Sequence, residues 1–165
     1  MKVNSLYIFL IILFLNIPKL GQVRDLYRQA DASKKQSESF HVLLKDVSMA
    51  DGPTLMGYKA ASEALLSKYA QGIKNKKEEF DVAVSQLEKI IKNNPENIEL
   101  YFIRLSIQEN APKILKYHNN INEDKSFILS NIERIDDKDL SRYLQDYVLH
   151  SNTFSAAEKS VLSER

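Results

Sequence analysis

The stretch Pro95-Glu-Asn-Ile-Glu-Leu-Tyr-Phe-Ile-Arg-Leu-Ser-Ile-Gln-Glu-Asn-Ala-Pro112 decides the fold class. Its apolar residues Ile98, Leu100, Tyr101, Phe102, Ile103, Leu105 and Ile107 point in nearly every direction around a helix of 3.6 residues per turn, and a helix without a polar side is a buried one. The stretch is too short and too charged to span a bilayer, so other helices must cover it. We therefore expect an all-α domain, an irregular array of antiparallel helical hairpins around a buried central helix over residues 97–110.

The flanking sequence supplies those helices. Val23, Leu26, Tyr27 and Ala30 share one helical face, as do Phe40, Leu43, Leu44 and Val47, with a polar break expected within 31–39. Asp51-Gly52-Pro53-Thr54 is a boundary at which Thr54 is the expected cap. The next helix carries Leu55, Tyr58, Leu65 and Leu66, with Gly57, Ala60, Ala61 and Ala64 small enough to admit a close neighbour. Gly72 and the basic run Lys74, Lys76, Lys77 read as that helix's end, since cations suit the negative pole of a helix dipole. Glu78 and Glu79 then open a helix facing inward through Phe80, Ala83, Val84, Leu87, Ile90 and Ile91. After Pro112, expected to open a short helix, a helix starting at Asn122 offers Phe127, Ile128, Ile132 and Ile135. Asp136 is the expected cap of one bearing Leu140, Tyr143, Leu144 and Tyr147, and Ser155-Ala-Ala-Glu158 has capping-box spacing. No segment alternates with period two for long enough to claim a strand.

The amino end has a different character. Lys2 precedes the unbroken apolar run Leu6–Leu15, and polar, Pro-containing sequence follows to Gly21, the layout of a secretory signal peptide. We expect residues 1–21 to be removed, leaving one helical domain over 22–165, exported to a periplasm or secreted, with no stable membrane span after cleavage. Loss of Lys2 and Lys19 takes Lys plus Arg from 23 to 21 against 22 acids, a net charge of −1. That balance provides no field for nucleic acid. Cysteine is absent, which excludes disulfides, thiolate metal sites, a Cys nucleophile and lipidation at a signal-peptide cysteine.

Ala83-Val84, Leu87-Glu88-Lys89, Ile90-Ile91 and Pro95-Glu96-Asn97 give residues 58–97 a hairpin that resembles a tetratricopeptide repeat, in its second helix and the turn that follows. The resemblance implies stacked antiparallel helices that present a surface to a protein or peptide. No second copy is recognisable, so a regular solenoid is not expected.

Chemistry-bearing patterns are few. Arg104 sits on the apolar helix with Tyr101 and Gln108 on its face, and its planar fork suits a carboxylate or phosphate or, equally, an internal ion pair. His41, His118 and His150 fit no metal spacing. Asn120, Asn122 and Asp124 alternate like a calcium loop, but Lys125 and Asn131 stand where that loop needs glycine and a bidentate acid. The acid pairs Glu78/Glu79, Glu123/Asp124 and Asp136/Asp137 lie at expected helix starts, where the dipole accounts for them. No phosphate-binding Gly-rich loop or nucleophile elbow is present. The expectation is a non-enzymatic interaction or scaffold module without cofactor or metal, binding a protein or peptide through Tyr58, Lys59, Tyr101, Arg104 and Gln108. The alternative is a small-ligand binder or enzyme with a pocket around Arg104 and His118, and homo-oligomerisation stays open.

Overall fold

The computed structural model describes residues 17–163, and the expected signal core Leu6–Leu15 lies outside them. The described residues form eight α-helices and three short 3₁₀ turns, with no strand. None of these helices is long and apolar enough to cross a membrane. The helices are α1 (Leu20–Tyr27), α2 (Lys34–Leu44), α3 (Pro53–Ser67), α4 (Gly72–Asn93), α5 (Ile98–Asn110), α6 (Ile121–Asn131), α7 (Lys138–His150) and α8 (Ala156–Ser163). Turns of 3₁₀ type occupy Met49–Asp51, Lys113–Leu115 and Ile132–Arg134.

Helix α5 is buried at ten of its thirteen positions, including Glu99, Arg104 and Gln108. It starts where Asn97 accepts a hydrogen bond from the Glu99 amide, 3.1 Å, and ends ahead of Pro112. Its main neighbours are α3, α4 and α6, and α3 with α4 is the most extensive helix pairing in the fold. Close approach of α3 to α5 depends on Gly57. A Cβ there would sit 2.5 Å from Leu100 Cδ2 and 3.2 Å from Ile103 Cδ1. The expected role of the small residues on α3 is thus met at this position.

Several boundaries differ from the sequence reading, each for a local reason. Helix α3 begins at Pro53 itself, a position that tolerates a missing amide, with Gly52 as N-cap at φ +104°. Thr54 is not the cap; its hydroxyl accepts from Asn97 Nδ2 at 2.9 Å, tying α3 to the start of α5. The residue after Pro112 opens a single 3₁₀ turn and no longer helix. Asp137, not Asp136, caps α7, accepting from the amides of Asp139 and Leu140 at 2.9 and 3.1 Å. These bonds, with help from Arg24, hold its carboxyl below the usual range. Ser155 and Glu158 do form the reciprocal box: the Ser155 amide donates to Glu158 and the Glu158 amide donates to Ser155 Oγ.

The largest displacement concerns the basic run. Gly72, at φ +80°, turns the chain directly into α4, so Lys74, Lys76 and Lys77 occupy the first turns of a helix and not the last turn of its predecessor. Glu78 and Glu79 are inside the helix, where they do not serve its amino end.

Candidate functional site

Arg104 lies at the centre of the best-connected polar cluster. Only 4% exposed, it donates from Nε to both Asp124 oxygens at 3.1 and 3.0 Å, and from Nη1 to Glu88 at 2.8 Å. Glu123 stands 3.5 Å from Nη2. Glu88 in turn accepts from the Tyr117 hydroxyl at 2.6 Å. Asp124, expected only to offset a helix dipole, is fully buried against the guanidinium. Burial pushes its carboxyl up to about 6 in spite of the opposing pull of Arg104.

The five residues expected to share one surface do not share one. Tyr101, Arg104 and Gln108 all face α6 or the residue just before it. Tyr101 stacks on Phe127 with ring centroids 4.0 Å apart, Arg104 Cζ lies 5.3 Å from the Tyr101 ring, and Gln108 Oε1 accepts from the Asn120 amide at 3.2 Å. Gln108 Nε2 is buried without a hydrogen-bond partner among the described residues. Tyr58, fully buried, instead donates to Glu99 at 2.7 Å. Lys59 turns away from both, binding the Lys45 and Val47 carbonyls just beyond α2, each at 2.8 Å. His118 contacts the Ala111 carbonyl at 3.0 Å and not the Arg104 cluster.

A second buried pair was not anticipated. Arg24 on α1 meets Glu99 on α5 through two parallel hydrogen bonds of 2.8 and 2.9 Å, and reaches Asp137 at 3.2 Å. The available signal was Glu99 itself, an acid on a helix with no wet side.

An opening among the described residues lies elsewhere. A groove of about 720 Å³, open to solvent along one side, runs between α4 and α7 with α5 beneath it. Phe102, Ser106 and Ile107 of α5 line it, with Leu65 of α3, Phe80 of α4, Leu115 of the 3₁₀ turn, and Tyr143 and Tyr147 of α7. Ile73 and Ile114 stand on its lip, 81% and 74% exposed. Charges rim the apolar lining. Arg28 pairs with Asp146 and Lys68 with Asp31. None of Tyr58, Lys59, Tyr101, Arg104 and Gln108 lines this groove.

Sequence reasoning recognised Leu65, Phe80, Ile107 and Tyr147 as inward-facing residues without seeing that they border an opening. Ile73, wedged between Gly72 and Lys74, was the available signal: a large apolar residue in a polar run assigned to a turn. No group of His, Asp and Glu among the described residues is arranged to hold a metal ion. No family model, curated protein or solved structure matches the chain.

Proposed function

We propose that the protein is an exported, non-enzymatic interaction module that receives an apolar helical segment of a partner protein in the groove between α4 and α7. The observation that carries this reading is the pair of exposed isoleucines, Ile73 and Ile114, on the lip of an apolar groove. A small ligand sunk in the groove leaves both in water, whereas a macromolecular partner covers them, and clustered exposed apolar surface marks interaction sites. A helical turn about 5.4 Å high and 10 Å or more wide occupies roughly 500 Å³, so the groove accommodates one face of about two to three turns.

The rest of the reading is consistent with this one. The tetratricopeptide-like hairpin over 58–97 supports an irregular array of antiparallel hairpins about α5, an arrangement suited to presenting a groove. The apolar run Leu6–Leu15 behind Lys2 supports export.

The test is selection of displayed peptides of about sixteen residues on the folded chain. Enriched peptides should repeat apolar residues three and four apart and lose binding to Ile73→Glu and to Ile114→Glu, two substitutions at exposed positions that leave the core intact. Peptides that bind both variants as tightly as the unaltered chain would place the interaction surface elsewhere. A small amphiphile co-purifying in native mass spectrometry and retained by both variants would favour ligand carriage.

A further inference from the structure

We propose that the partner helix is acidic on the flank that meets the first turns of α4. This rests on the groove reading above and adds the sign of the partner's charge.

Every carboxylate bordering the groove is already engaged within the chain. Asp31 holds Lys68, and Asp146 holds Arg28 with His150 Nδ1 at 3.3 Å. Glu109 accepts from the Tyr147 hydroxyl at 2.7 Å, from Ser151 Oγ at 2.9 Å and from the Asn152 amide at 3.1 Å. Glu109 keeps its charge, since its donors are neutral, but all three of them belong to α7 and the residues just after it and not to α4. The cations are unevenly served. Lys76 borders the groove without an acidic partner among the described residues, and it lies on the same face of α4 as Ile73, three residues earlier.

The surroundings reinforce that charge. The first turn of α4 contains no acid, and Gln71 supplies no side-chain cap. Lys74 and Lys77 are there as well, offset only by exposed pairs with Glu78 and Asp81 inside the helix. The basic run therefore sits at the positive pole of the helix, the reverse of the favourable arrangement. Such a local conflict between sequence and structure is characteristic of a surface shaped for a partner. Carboxylates on a docked helix would meet Lys76 while its apolar face covers Ile73. With a net charge of +1 for the whole chain and −1 without residues 1–21, an acidic preference has to arise from this lip and not from a general field.

Three helical peptides of about sixteen residues with one leucine spacing test this, carrying Glu, Gln or Lys on the polar flank. Their binding is read by fluorescence anisotropy at about 50 mM and about 500 mM salt. The Glu peptide should bind about 10-fold more tightly than the Gln peptide at low salt, the difference shrinking at high salt. Lys76→Glu should abolish or reverse the preference, and Ile73→Glu should weaken all three peptides. Equal binding of the Glu and Gln peptides overturns the acidic occupant and leaves the groove reading standing. Failure of all three peptides overturns both. Dimerisation in sedimentation that is lost in Ile73→Glu assigns the groove to a second copy and overturns the proposal, as does uptake of dodecanoate without any peptide binding.

Discussion

Arg24 and Glu99, 75 residues apart in sequence, meet as a two-point ion pair in the interior, with Arg24 Nε 2.8 Å from Oε1 and Nη2 2.9 Å from Oε2. Tyr58 adds a third donor to the same carboxylate. One acid thereby ties α1 and α3 to α5, and the reach of Arg24 to Asp137 extends the tie to the start of α7. Arg24→Met should cost about 3–5 kcal/mol, because it strands a buried carboxylate. Adding Glu99→Leu should recover part of that loss. Urea denaturation of the two variants checks this, and equal stability of Arg24→Met and the unaltered chain would show that the pair contributes nothing.

Arg104→Met should lower stability by a similar amount, about 3–5 kcal/mol, since Asp124 has no exposure through which to regain water. Thermal melting of Arg104→Met and of Arg104→Met/Asp124→Leu separates the lost pairing from the stranded acid. The double variant should be the more stable of the two.

The Asp124 carboxyl, with its folded value near 6, lies above its ordinary value of 3.8. Between those limits the folded chain holds a proton that the unfolded chain has released, so this group's contribution to stability grows as pH falls from 6 towards 4. A carboxyl carbon titration by NMR should show a midpoint near 6, and the pH slope of stability in that window should flatten in Asp124→Asn. A midpoint at or below 4 would mean that Arg104 outweighs burial.

Gly57→Ala should destabilise by about 1–3 kcal/mol, because the added carbon meets Leu100, a side chain with no exposure and little room to yield. Thermal melting against the unaltered chain checks this, and an unchanged midpoint would show that α5 can move away.

The helical class was legible from periodicity alone, and Pro95, Pro112 and the residues between them located α5 within a residue or two. Gly57 was legible as well, as a small residue where a neighbour must come close. The basic run misled because the dipole rule suits lysines after a helix, and only the positive φ of Gly72 shows that they open one. Tyr58, Lys59 and Arg104 were singled out for their chemistry, yet Lys59 serves two nearby carbonyls and the other two serve partners far along the chain. Such partners, like Arg24 for Glu99, depend on how helices cross, which no local pattern encodes. The groove escaped for the same reason: Leu65, Phe80 and Tyr147 have the periodicity of core residues whether their outer side is filled or open.

A cylinder greasy on every side has no preferred rotational setting among its neighbours, and the apolar stripes of α5 would tolerate several. Glu99 and Arg104, five positions and so about 140° apart around the axis, remove that freedom. One is held by Arg24 and the other by Asp124, from opposite halves of the chain. Turning α5 on its axis would pull both charges from their counterparts together, so the two act as keys that admit a single orientation.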